Sequence, residues 1–449
     1  MSPLLKKTNF SGQMLLAILI AVAVFAILTH AIFTLIASSF DLVSFNKARI
    51  TARHLAQEKI ELIRNLPYTD VATIGGVPNG TLIPQTETIS RNGLNYAVKT
   101  SIIFIDDSTD DSAPADTSPE DYKRVRVEVG WEGLAASGRN PVLLITDISA
   151  EATASIEGGS LVIQVVDANG NPVSQANVAI VSSGISPAVN LSTQTNSEGI
   201  VTIPGMTPCI ECYQITITKA GFSTDRTYSN SEVTNPIKPR ASIFLDDVSQ
   251  VSFAIDEVGT LAISSVDSRE NNFSPLGSVS FILHGNKIIG TDAYAQPVYK
   301  YDENLTTNGS GNLNLSNMEW DVYLVEMPGS TSYDISGTSP LLPLNLVPAG
   351  SLTFTFAVSG HTTYSLFLTA KNSSQSLIAS ASARLYDDGG FEEIKETGTD
   401  GNPDHGQVLF SNLIEDAYHL EATASGYLNF NQDFDVSGTT KIDVVMTPE

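Results

Sequence analysis

At 449 residues, the chain exceeds what one hydrophobic core can fold, so about two to four domains are expected. Its 24 Lys and Arg stand against 49 Asp and Glu, a net charge of −25. That balance excludes a nucleic-acid binder, which needs basic patches, and predicts no nucleic-acid partner. The charge is unevenly placed: residues 1–66 hold seven basic and three acidic residues, the remainder 17 and 46. The first predicted element is a helix. No charged residue occurs from Met14 to Ala37, and about 20 apolar residues suffice to cross a bilayer. Thr29, His30 and Thr34 interrupt the run, which a helix tolerates by bonding its backbone internally. Lys6 and Lys7 precede it, so the positive-inside tendency leaves the leader in the cytoplasm and exports everything after Asp41. A secretory signal has a shorter apolar stretch followed by a cleavage loop. Here the stretch continues into more helix.

From Asp41 the pattern becomes amphipathic. Leu42, Phe45, Ala48, Ala52, Leu55, Ala56, Ile60, Ile63 and Leu66 recur at three- and four-residue steps, with charged residues between them. Pro67 marks the stop. At 1.5 Å per residue, a helix from Met14 to Leu66 runs about 80 Å. One half belongs in a membrane or bundle, and the other packs under a head.

The leader Lys6-Lys7, the Gly12/Gln13 junction, the apolar helix and the run Ala52–Tyr68 together resemble type IV pilin-like proteins of the minor pilin and pseudopilin group. The resemblance implies cleavage after Gly12 by a prepilin peptidase and N-methylation of the new terminus, Gln13. It also implies bundling with other pilin subunits through the helix. Two positions depart from the family: Gln13 stands where Phe is usual, and Ala17 stands where a Glu is usual. A carboxylate in the membrane is costly unless partnered; in the family it is thought to pair with a neighbour's terminus. Its absence argues against a bulk subunit and for a rare tip or initiating one. The alternative is an uncleaved, single-pass surface protein whose body binds carbohydrate or protein.

Beyond Pro67 the texture is β-rich. Asn95–Ile105, Arg124–Trp131 and Val142–Ile148 read as strands of a small sheet. Between the first two lies Asp106–Asp111, read as a solvated acidic insertion without the spaced ligands of a calcium loop. A repeat then emerges. Leu161–Asp167, Asn177–Val181, Gly199–Ile203 and Tyr213–Thr218 correspond to Leu366–Ala370, Ala383–Tyr386, Gly406–Phe410 and Tyr418–Thr423. A middle copy is looser: Leu261–Val266, Val279–Leu283, Gly311–Leu315 and Tyr323–Glu326. Asn196-Ser-Glu-Gly199, Tyr213 and Gly221-Phe222, with Gly406, Tyr418 and Gly426-Tyr427, make the outer copies resemble carboxypeptidase regulatory-like domains. These are transthyretin-like β-sandwiches. The middle copy is similar to the related collagen-adhesin B-type (Cna-B-like) repeat, but no lysine lies in its first strand to form an isopeptide staple. In this scheme Gly supplies positive φ, and the strand Tyr fills the core while its hydroxyl bonds at the edge.

Cys209-Ile-Glu-Cys212 holds the only cysteines. A local disulfide, free thiols and a redox or metal role remain open. The six histidines form no ligand cluster, and no GxSxG elbow or phosphate loop occurs. Asp400-Gly-Asn-Pro-Asp404-His405 reads as a solvated turn rather than a metal site. Neither a catalytic residue, a metal site nor a cofactor is expected.

The expected organisation is multidomain. It comprises a leader (1–12), a transmembrane and amphipathic helix (13–66), and a small β head (67–150). Sandwiches follow at 158–248, 258–357 and 362–449. The chain reads as a membrane-anchored, largely extracytoplasmic structural subunit, assembled into a pilus-like or pseudopilus-like filament and adhering to an unknown surface ligand.

Overall fold

The computed structural model describes residues 11–106, 121–131, 141–149, 158–186 and 188–449. The leader up to Phe10 and the acidic run from Asp107 lie outside the described residues. One long helix, α1 (Ser11–Arg64), is followed by β-sheets throughout.

The helix divides by what it touches. Leu19, Phe25, Ile27, Phe33, Leu35 and Phe40 are bare. Among these apolar residues, the hydroxyls of Thr29, Thr34 and Ser39 donate to the helix's own carbonyls of Phe25, Ala31 and Leu35, each at 2.8 Å. That return bond removes most of the cost of placing a hydroxyl in an apolar medium. From Ala48 onward one face is buried. Ala48, Ala52 and Ala56, spaced by four, let the backbone approach a sheet closely, while Leu55, Ile60 and Ile63 fill the gap. That sheet is a meander of β1 (Thr86–Arg91), β2 (Leu94–Ile105), β3 (Tyr122–Trp131) and β4 (Val142–Ser149), in that order. Three of its strands match the expected runs, and β1 is an addition. It is joined to β2 through Asn92-Gly93, both at positive φ (53° and 79°), the residues a two-residue hairpin requires.

The three following sandwiches share one strand order. In the first, the sheet Val248–Ala254, Gly159–Val166, Ile200–Met206 packs on Cys209–Thr218, Asn177–Ser182, Val189–Gln194, flanked by Asp225–Arg226 and Ala241–Ile243. In the third, Thr439–Met446, Ser365–Asn372, Gln407–Phe410 packs on Phe430–Val436, Asp416–Thr423, Ser382–Tyr386, Glu392–Glu396. The middle sandwich repeats the order with Ser351–Gly360, Gly259–Asp267, Asn312–Met318 over Leu344–Leu346, Asp321–Glu326, Ser280–Gly285, Asp302–Thr306. Each pairs its first and last strands in parallel.

The same three side-chain positions hold each copy together. Gly199, Gly311 and Gly406 all have positive φ (71°, 78° and 68°). Each carbonyl accepts a 2.8 Å bond from the first strand, at Val165, Ser265 and Ala370. Tyr213, Tyr323 and Tyr418 are buried; the first two donate to Thr207 and Glu319 carbonyls at 2.6 and 2.7 Å. Tyr418 makes a longer bond of 3.4 Å to Ile414. The third position, absent from the sequence expectation, is a buried threonine: Thr195, Thr307 and Thr397. Their hydroxyls accept from the N–H groups of Ala176, Val279 and Ala381 at 2.9, 3.1 and 2.9 Å.

The middle copy is therefore the same fold, and its looseness in sequence comes from two insertions. Strand Tyr333–Ser339 adds to the outer edge of Ser351–Gly360. A hairpin, Ile288–Thr291 with Pro297–Tyr299, reaches back to pair with Asn235–Pro236 of the first sandwich.

Candidate functional site

Gly12 and Gln13 lie in the first turn of α1. The described part, Val22–Arg64, is long and apolar enough by length and composition to cross a membrane. Cys209 and Cys212 open the strand Cys209–Thr218, with Cα atoms 6.0 Å apart. They bracket a bulge in which Glu211 takes φ 50° and its N–H reaches Ser242 Oγ at 2.8 Å. Among the described residues, no cluster of three or more His, Cys, Asp or Glu is disposed to hold a metal.

The Asp400–His405 segment corrects the sequence expectation. Asp404 is not solvated; it is 4% exposed and accepts from Arg269 Nε of the middle sandwich at 2.7 Å. Arg269 also donates to the Glu396 carbonyl at 2.7 Å. Burial pushes the Asp404 carboxyl up, and the Arg269 guanidinium opposes that shift. Beside it, the fully buried Gln407 uses its amide to read both backbone groups of Thr338. Nε2 donates to the Thr338 carbonyl at 2.8 Å, and Oε1 accepts the Thr338 N–H at 3.1 Å. Gly337 is required here, because a Cβ would lie 2.5 Å from that of Asp404. Arg269 holds Asp404 by Oδ2, while Oδ1 is buried without a hydrogen-bond partner; with the paired Gln407 amide, these contacts favour one relative orientation of the two sandwiches.

The joint between the first and middle sandwiches is built differently. Lys287 and Lys300 both pair with Glu319 at 2.7 Å, and Lys300 donates to the Thr224 carbonyl of the first sandwich at 2.7 Å. Lys287 lies 3.1 Å over the Trp320 ring, and burial pulls its ammonium below the ordinary lysine range against the pull of Glu319. Below it, Val77 of the head loop belongs to the core of the first sandwich. The Gly75 carbonyl accepts the Asn190 N–H at 2.7 Å, and Gln85 Nε2 donates to the Asn190 carbonyl at 2.8 Å.

The joint between the middle and third sandwiches leaves a cleft of about 810 Å³. Tyr333 and Leu342 line one wall, and Phe367 with Ile442 lines the other. Its polar rim carries two internal pairs: His361 with Asp334 at 2.8 Å, and Lys371 with Asp443 at 2.8 Å. The rest of its lining mixes polar Glu326, Thr338, Gln407 and Lys441 with apolar Leu324 and Met327. None of these cleft residues was legible as a site in the sequence: Tyr333, Asp334, Phe367, Lys371, Ile442 and Asp443 belong to strands whose alternation already explains them, and Leu342 and His361 lie in the connections between strands.

Residues 160–245, within the first sandwich, match the family model of the carboxypeptidase regulatory-like domain. A search of curated proteins finds no match. Among solved structures the chain is similar to the Bacillus anthracis TIE protein, at 13% identity over 82% of this chain and 74% of that one, with a TM-score of 0.19. It is also similar to the shaft pilin SpaA from Lactobacillus rhamnosus GG, at 13% identity over 43% and 98%, TM-score 0.17. A third is BcpA, the major pilin subunit of Bacillus cereus, at 12% identity over 65% and 100%, TM-score 0.18. At such TM-scores these likenesses carry no argument about function.

Proposed function

We propose that the chain is a non-enzymatic structural subunit of a type IV pilus-like or type II pseudopilus-like filament, a minor or tip subunit that displays β-sandwiches for surface adhesion. The observation that carries this reading is the division of α1. From Leu19 to Phe40 its described side chains are largely bare and apolar, and from Ala48 to Ile63 one face is buried beneath the head. Such a helix rests in the cytoplasmic membrane and then passes into a bundle with other subunits' helices, without unfolding the head. Prepilin peptidase cuts between Gly12 and Gln13, and Gln13 is methylated. The head and three sandwiches, divided near residues 150, 250 and 360, stand outside the cytoplasm and meet an unidentified surface ligand. In that compartment Cys209 and Cys212 form a local disulfide. Intact-mass measurement on chain purified from its native membrane tests the reading. The expected mass is that of a chain beginning at Gln13 plus one methyl group, dependent on prepilin peptidase. A chain retaining its leader in a strain with active peptidase overturns it.

A second reading has a specific observation behind it. Ala17 in place of the family's acid removes the charge that pairs neighbouring subunits, which suits an uncleaved single-pass anchor. The same mass measurement separates the two.

A further inference from the structure

The three sandwiches treat one edge differently. In each, the last strand pairs with the first on one side, and beyond it lies the seam between the two sheets. In the first sandwich Lys238 covers this seam, 4.6 Å over the Phe253 ring, and Asp225 caps the Ala254 N–H at 3.0 Å. In the middle sandwich the chain's own strand Tyr333–Ser339 fills the position, antiparallel to Ser351–Gly360, with Tyr333 and Ile335 packed on the core. In the third, Thr439–Met446 pairs, among the described residues, only with Ser365–Asn372. Its seam shows Phe430, Phe434 and Ile442 half-buried, with Gln432 exposed between the two phenylalanines.

The hydrogen-bond phase of that strand is fixed. Ser365 N–H donates to the Gly438 carbonyl at 3.1 Å, so in a parallel ladder Thr440, Ile442 and Val444 bond inward. The N–H and C=O groups of Lys441, Asp443 and Val445 then point away from the sheet. An unpaired row of this kind is a template for another strand.

We infer that Thr439–Met446 is a strand-addition site for an extended, basic segment of a partner polypeptide. The backbone row recognises a strand, and the seam takes aliphatic or aromatic side chains at alternate positions, as Tyr333 and Ile335 do in the middle copy. Charge selects the partner. Residues 362–449 carry four Lys and Arg against fourteen Asp and Glu, so Lys or Arg at the intervening positions is attracted while a second copy of this acidic chain is repelled.

The probe is a labelled peptide, Lys-Tyr-Lys-Ile-Lys-Val-Lys, added to the full chain in detergent, with Tyr-Ile-Val-Lys-Lys-Lys-Lys as a control of equal charge. Saturable binding of the alternating peptide is expected, about tenfold tighter than the control. New hydrogen-exchange protection should be confined to residues 439–446. The variant Val445→Pro removes one outward N–H and leaves the inward ladder, and weakens binding by about tenfold with an unchanged circular-dichroism spectrum. If that variant misfolds, the exchange footprint on the unaltered chain decides. Equal binding of the two peptides, or no new protection at 439–446, overturns the inference. So does protection of that edge that rises with chain concentration in the absence of peptide, because the occupant is then a second copy.

Discussion

The middle and third sandwiches share a strand order, a positive-φ glycine, a buried threonine and a core tyrosine, yet they meet their surroundings in opposite ways. The middle one spends its insertions on its neighbours: the hairpin Ile288–Tyr299 reaches the first sandwich, and Tyr333–Ser339 lies against the third. The third has neither insertion, and it supplies buried polar groups, Asp404 and Gln407, to a joint whose other half belongs to the middle copy. A repeat therefore diverges where it must hold adjoining units rather than where it folds.

The comparison is broken most severely at Asp404. Asp404→Ala leaves the Arg269 guanidinium facing a half-buried gap and costs about 3 kcal/mol. Denaturant unfolding should show the loss in the third sandwich's transition alone. Next comes Gly337→Ala, whose added Cβ collides with Asp404 and costs about 1–3 kcal/mol. Gly360→Ala, with nothing within 4 Å, should stay within about 0.5 kcal/mol of the parent, and equal losses at both glycines would refute the joint. The shared framework is tested by removing hydroxyls. Tyr213→Phe, Tyr323→Phe and Tyr418→Phe should each cost about 1 kcal/mol, the last because its hydroxyl also accepts the Ile414 N–H at 3.2 Å. Burial holds the Tyr213 phenol up at about 12, so its bond persists across ordinary alkaline buffers.

The smallest effect concerns the exposed face of the third sandwich. The Asp433 carboxylate, 2.6 Å from His419 Nδ1, with Asp388 beyond it, raises the His419 pKa. The contribution is complete below the ordinary histidine value of about 6.5 and is lost as pH rises through the raised value. An NMR titration should place His419 above that ordinary value, and Asp433→Asn should bring it back down.

Most of the architecture could be read from the chain because its determinants are local. Charge-free length gave the helix, period-two alternation the strands, and glycine before a short strand the repeat. The middle copy was more legible than its looseness suggested. Thr307-Asn-Gly-Ser-Gly311 has the spacing of Thr195-Asn-Ser-Glu-Gly199. Asn308 and Asn196 each accept two N–H bonds at 2.9 Å from the same relative positions. Asn92-Gly93 likewise announces the hairpin that joins β1 to β2. What could not be read was the joints. Arg269, Asp404 and Gln407 are ordinary surface residues by type, yet Asp404 and Gln407 are buried and Arg269 half-buried where two domains meet. Burial of that origin leaves no periodicity in a single strand.

The parallel pairing of first and last strands has a mechanical consequence. A strand entering at one end and a parallel partner leaving at the other are drawn past each other when the chain is pulled. The load falls in shear on all seven or eight paired positions at once instead of peeling them one by one. Stretching a single molecule should then give three tall, separate rupture peaks, one for each sandwich.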